Sequence, residues 1–294
     1  MAFRTDLACE SIEHPQDLRN HAGIRTTKRN IGGFSIDCVE VQTAQAAAAL
    51  GKPCGTYCTM TLDPLTRRES DAFTQAVDNL AAILTELLPK QVQPDAPILV
   101  IGLGNRAITP DAVGPLTVEH ILVTRHLRRQ LPEQFASWRS VSAAAVGVLG
   151  QTGVEAAEFT RGLCDTLEPC AIIAVDALAA GELSHLARTL QVTDAGIVPG
   201  SGVGNARAAF NQQTFGVPVI AIGLPTVVDG ASLLWRAQQD GACSAALDEL
   251  STPVFVTPRE IDQQVRDAAK VIGYAINRAL QPQLSLSDLD LLLS

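Results

Sequence analysis

Apolar and polar positions change period several times along the chain, and each change marks an element. Residues 35–41 alternate, which predicts a half-buried strand, and 55–62, rich in Thr, Tyr, Cys and Met, predicts another. Apolar positions at Phe73, Val77, Leu80, Leu84 and Leu87 fall at helical spacing and predict a helix over 71–88, closed by Pro89. Three unbroken apolar runs follow: Ile98-Leu99-Val100-Ile101, Ala171-Ile172-Ile173-Ala174-Val175, and Val219-Ile220-Ala221-Ile222. Runs of this kind predict strands buried on both faces, with Pro218 at the start of the third. Between and after them, 116–131, 154–167, 231–250 and 258–280 carry helical spacing, 147–153 reads as a loop, and 284–294 is a short amphipathic tail.

Strands alternating with helices predict a three-layer α/β/α sandwich around a mostly parallel twisted sheet. The two early strands form a small β-rich extension over about 30–65, ahead of an α/β core over about 95–280. No internal repeat or charge block divides the 294 residues, which read as a single domain.

Composition narrows the function classes. A formal net charge of −9 and a pI near 5.0 disfavour direct nucleic-acid binding. No stretch reaches the roughly 18 apolar residues of a membrane span, and the amino terminus lacks a signal-peptide run, so a cytoplasmic location is expected. Seven cysteines, an odd number, read mainly as buried reduced thiols. Cys54 and Cys58 have metal-pair spacing, but no second Cys/His pair lies close in sequence, and no metal is expected.

Two glycine-rich loops invite a nucleotide reading. Gly102-x-Gly104-Asn105-x-Ala107 follows a strand, but Thr109-Pro110 intervenes before any helix, and Pro110 keeps its predecessor out of helical geometry. The pyrophosphate site of a dinucleotide fold therefore cannot form, and no cofactor is expected. Gly200-Ser201-Gly202-Val203-Gly204-Asn205 lacks a P-loop ending and reads as the rim of a substrate cleft, with Gly102, Gly104 and Asn105 on its other side. Two acids stand apart: Asp111 just beyond the first buried strand and Asp176 at the end of the second. Each is a candidate helix cap. Together they are a candidate catalytic pair, since two adjacent carboxylates do not both ionise and one is left as an acid while the other activates water.

Several stretches resemble the germination protease family of spore-forming bacteria. They are Arg4 to Glu10, Gly102 to Asn105 with Thr109 to Pro115, Leu122 to Leu127, Ile173 to Ala180, Pro199 to Asn205, Ile220 to Asp229 and Val256 to Asp262. They occur in order over nearly the whole chain. The resemblance implies an endopeptidase that begins the degradation of small acid-soluble spore proteins in the spore core during germination. It also implies a zymogen, a homotetramer, and a core like that of hydrogenase-maturation peptidases, with Asp111 and Asp176 as the catalytic pair. Substrates of the family are cut in a Thr-Glu-(Phe/Ile)-Ala-Ser-Glu context, and Thr5-Asp6-Leu7-Ala8-Cys9-Glu10 has the same pattern. The expectation is self-cleavage between Asp6 and Leu7, releasing residues 1–6 as a short propeptide. One departure is a shorter stretch between Asp229 and Thr257. The alternatives are a metal-dependent or hydrogenase-maturation-type peptidase using the same acids, or an inactive binding protein of this fold.

Overall fold

A computed structural model describes residues 4–13, 17–90, 92–93, 95–233 and 254–294. Its described strands are β1 (Ile24–Ile31), β2 (Phe34–Val41), β3 (Gly55–Thr61), β4 (Ile98–Leu103), β5 (Val141–Val146), β6 (Ala171–Ala180), β7 (Thr189–Thr193), β8 (Val219–Asp229) and β9 (Phe255–Val256). All join one sheet in the order β1-β2-β3-β7-β8-β6-β4-β5, with β9 paired to β8.

The sheet is mixed, not mostly parallel. Parallel pairing holds β5, β4, β6 and β8 together, and every other pair is antiparallel. The reason lies in β7, which pairs antiparallel with both β8 and β3 and so carries the early strands onto the edge of the core sheet. β1, β5 and β7 gave no clear sequence signal. β5 is Ala-rich, and β7 buries its polar residues as fully as its apolar ones.

Helices cover both faces. Ala72–Leu87 and Ile261–Leu280 pack on Val100, Ile173, Val175, Ile220 and Ile222 in the main core. On the opposite face Ala156–Leu167 packs on Leu99, Ile101, Ile172 and Ala174. Alternate residues of each central strand thus feed two cores, which is why these runs are apolar throughout.

Three helical expectations change. Residues 116–131 hold two short helices, Val113–Val118 and Arg125–Gln130, because the chain between them leaves the helix to bond elsewhere. The Leu122 N–H donates to Asn277 Oδ1 at 2.9 Å, and Thr124 N–H donates to Val141 O at 3.0 Å. The 147–153 loop contains a helical turn, Leu149–Thr152. The tail forms a helix, Leu286–Leu293, started by a capping box in which Ser285 and Asp288 bond reciprocally. The helix expected over 231–250 lies largely outside the described residues.

The cysteines also depart from expectation. Cys38 and Cys58 lie directly opposite each other on β2 and β3, with Cα atoms 4.1 Å apart, and are joined as a disulfide. Cys54 and Cys170 are exposed, because each lies in a turn just ahead of a strand.

Candidate active site

Where β4 ends, the chain turns through Gly104 and Asn105 and comes back to place Asp111 on the turn Thr109–Asp111. Gly104 makes this return possible. Its φ is +113°, and a Cβ there would stand 2.1 Å from the Asp111 carbonyl oxygen. The closed loop brings the Asn105 N–H to Asp111, where it donates to the backbone oxygen at 3.0 Å and to Oδ2 at 2.8 Å. Gly102 serves packing instead. It admits Gly114 against β4, where a Cβ would meet the Gly114 carbonyl oxygen at 2.2 Å.

Asp176 does not end its strand. β6 continues to Ala180 by pairing with β8 beyond the point where β4 stops, with a bulge between Leu178 and Ala179. Asp176 therefore stands where β4 and β6 part, only 4 % exposed, with the Ala177 N–H donating to its Oδ1 at 2.9 Å. Neither aspartate caps a helix.

Both carboxyls are pushed toward the protonated form. Burial raises the pKa of Asp111, and the Asn105 N–H opposes it. Burial raises that of Asp176 well above the carboxylate range, and the charge of Asp111 raises it further. A carboxylic acid beside a more readily ionised carboxylate is the arrangement needed for general acid–base work.

The two acids line one cleft of about 600 Å³, together with Gly104, Asn105, Gly200, Gly202 and Asn205. Gly102 and Gly204 do not line it, and Ser201 lines a neighbouring cleft of about 540 Å³. Asp6 of the amino-terminal segment borders both clefts, together with Leu178, Val198 and Gly202.

This segment is held residue by residue. The Asp6 N–H donates to Ala179 O at 2.9 Å, next to the stretch of β6 that β4 has vacated. The Asp6 carboxylate accepts from the Ala179 N–H at 2.8 Å and from Ser201 Oγ at 2.7 Å. Gly202 leaves room for it, since a Cβ there would stand 2.2 Å from Asp6 Oδ2. Leu7 is fully buried among Leu178, Ala180, Leu186 and Val228. The Glu10 carboxylate, with no exposed surface, accepts from the Gly181 N–H at 2.6 Å and the Glu182 N–H at 3.1 Å, and also from Thr5 Oγ1. His185 Nδ1 lies 2.6 Å from Glu10 Oε1. Lys52 Nζ donates to Thr5 O at 2.9 Å, and Gln191 bonds to both Asp6 and Ala8.

Sequence reasoning singled out Asp6 and Leu7, and Ser201 and Gly202 that receive Asp6, but missed His185, Lys52 and Gln191. His185, nine residues beyond Asp176, is within reach of the same crevice by sequence but reads as a surface or supporting residue, and Lys52 and Gln191 give no signal. None of the three carries a local signal, because each meets residues 5–10 only through long-range contacts. Among the described residues no three His, Cys, Asp or Glu side chains form a group able to hold a metal ion.

Comparison with known proteins gives the family. The profile of the family described as germination protease matches residues 4–239. A germination protease of Caldanaerobacter subterraneus subsp. tengcongensis is 38 % identical, covering 100 % of this chain and 98 % of its own. One from Clostridium perfringens is 35 % identical over 98 % of both chains, and one from a Geobacillus species is 40 % identical over 79 % of this chain and 65 % of its own.

Proposed function

Because the chain belongs to the germination protease family, and is thereby a protease of spore germination, we propose that it is an aspartate-dependent endopeptidase and that its own bond between Asp6 and Leu7 is one of its substrates. The observation that carries this reading is the seating of Asp6 in the cleft of Asp111 and Asp176, with Glu10 held just beyond the end of β6. An acid before the bond, an apolar residue after it and an acid three residues further on each occupy a site of matching chemistry.

The reaction assigns one role to each carboxyl. The Asp111 carboxylate takes a proton from a water whose oxygen attacks the Asp6 carbonyl carbon. The Asp176 carboxylic acid then gives its proton to the Leu7 nitrogen as the C–N bond breaks, leaving an Asp6 carboxylate and a Leu7 amine. Such acid–base assistance typically contributes about 10²–10⁴-fold. Holding the bond within the same chain adds proximity without a binding step.

In trans, the same sites fit small acid-soluble spore proteins, the substrates that the family resemblance implies, in the spore core. The whole chain then acts as one peptidase domain, synthesised as a zymogen. The likeness of its core to hydrogenase-maturation peptidases and its assembly as a homotetramer rest on that resemblance alone. No described helix is long and apolar enough to cross a membrane.

Terminal mass measurement tests the self-processing. Fully active enzyme is expected to begin at Leu7, and fully active enzyme with residues 1–6 still attached contradicts the proposal.

A further inference from the structure

The strand registers place three residues in one row across the sheet. Asp176 on β6 pairs with Gly223 on β8, and Gly223 pairs with Gln191 on β7. Residues directly opposite on paired strands share a face, so Asp176 and Gln191 rise from the same side, separated by a residue with no side chain. Two strand spacings set their backbones roughly 10 Å apart. The trough over Gly223 is shaped by Leu178, whose Cδ1 stands 2.3 Å from where a Gly223 Cβ would lie. Leu178 in turn packs against Leu7.

Gln191 is only 5 % exposed and spends its whole carboxamide on the amino-terminal segment. Its Nε2 donates to the Asp6 carbonyl oxygen at 3.1 Å, and its Oε1 accepts from the Ala8 N–H at 2.7 Å. One side chain thus grips the backbone on both sides of the Asp6–Leu7 bond.

Resting on the self-processing reading above, we infer that Gln191 is a catalytic residue that stabilises the oxyanion formed on the carbonyl before the cut bond, while anchoring the second residue after it. Attack of water on the Asp6 carbonyl carbon moves the π electrons onto the Asp6 oxygen, and the Gln191 N–H already points there. When the tetrahedral carbon collapses, those electrons return to the carbonyl as the bond to the Leu7 nitrogen breaks and Asp176 protonates that nitrogen. Gln191 gives up no proton. A donor placed in advance in a site shielded from water strengthens as charge develops, and removal of one such donor typically lowers kcat by about 10²–10³-fold. The carboxamide reads only main-chain atoms, so the same contact serves any substrate whose backbone follows this path.

The test compares wild-type full-length chain with Gln191→Met and Gln191→Glu. Self-cleavage is followed by terminal mass, and turnover on a peptide copying residues 1–13, with near-ultraviolet circular dichroism as a check of folding. Gln191→Met, of similar length but without a donor, is expected to lower kcat by about 10²–10³-fold, with a smaller change in KM. Gln191→Glu keeps an acceptor for the Ala8 N–H. It is expected to lose activity where the new carboxyl is ionised and to regain it as falling pH restores an O–H donor, which a purely structural residue would not do. A folded Gln191→Met enzyme with wild-type kcat, or a Gln191→Glu enzyme whose pH profile follows wild type, overturns the assignment. If wild type itself does not cut between Asp6 and Leu7, the self-processing reading falls. If wild type cuts there and the Met variant cuts as fast, only the role of Gln191 falls.

Discussion

The carboxyl of Asp176 is pushed toward its protonated form first by its burial and second by the charge of Asp111 across the same cleft. Asp111 is raised less, and the Asn105 N–H favours its ionised form. A pair that interacts in this way titrates in two steps that belong to the pair. The predicted activity profile is bell-shaped, rising as Asp111 ionises and falling as Asp176 loses its proton. A plot of kcat/KM against pH measures both limbs, and a profile flat on its alkaline side contradicts the role of Asp176 as the acid.

The same shift predicts a stability effect. A carboxyl whose folded pKa lies above its unfolded value favours folding below the unfolded pKa, and that contribution is lost as pH rises through the folded pKa. Asp176→Asn removes the burden of a buried carboxylate. The variant is expected to unfold at a higher temperature than wild type at neutral pH and to match it near pH 3, as thermal melts at the two pH values will show.

His185 and Glu10 form the second titrating contact. Burial alone lowers the His185 pKa, but the hydrogen bond to Glu10 and the charges of Glu10, Glu182 and Glu13 outweigh it, and the net shift is upward. A raised histidine stabilises the fold below its unfolded pKa near 6.5 and loses that contribution as pH passes its folded value. The amides of residues 5–11 are therefore expected to exchange hydrogen faster as pH rises, beyond the intrinsic increase, and His185→Gln should remove that excess.

Ser201 tests how the acid before the cut bond is recognised. Its hydroxyl donates to the Asp6 carboxylate, a charge-assisted bond whose loss typically costs about 1.5–3 kcal/mol. Ser201→Ala is expected to lower kcat/KM by roughly 10- to 100-fold on substrates with an acid at that position, by the same energy scale. An uncharged amide at that position should narrow the gap between variant and wild type.

Leu7 tests how far burial seats the segment. Truncating a fully buried leucine typically costs about 2–5 kcal/mol. Leu7→Ala is expected to free the segment, seen as rapid proteolysis before Ser11, while the β6 and β8 amides stay protected.

Much of this site was legible in the sequence, and the reason is local. Asp111 follows a glycine-rich turn after an unbroken apolar run, and Thr109-Pro110 sets the glycine pattern apart from any following helix. The pattern around Asp6 and Leu7 was visible because it is contiguous. Long-range pairing was not legible. Nothing in the run Ala171 to Val175 tells that β6 outlasts β4, which is what leaves Asp176 at a fork and not at a strand end. Thr189-Leu190-Gln191-Val192-Thr193 carried no clear strand signal, and all five residues are buried because the amino-terminal segment covers Gln191 from its polar side. The mixed character of the sheet was hidden for a similar reason: strand direction is set by partners, and β7 and β3 are far apart in sequence.

The pairing of Asp111 with Asp176 in catalysis is tested by cleavage of a small acid-soluble spore protein with wild type, Asp111→Asn and Asp176→Asn, with products mapped by mass. Wild type is expected to cut after an acid and before an apolar residue. Each variant is expected to lose about 10²–10⁴-fold or more in rate, with folding intact by circular dichroism. Cleavage at the wild-type rate by either folded variant would refute the pairing.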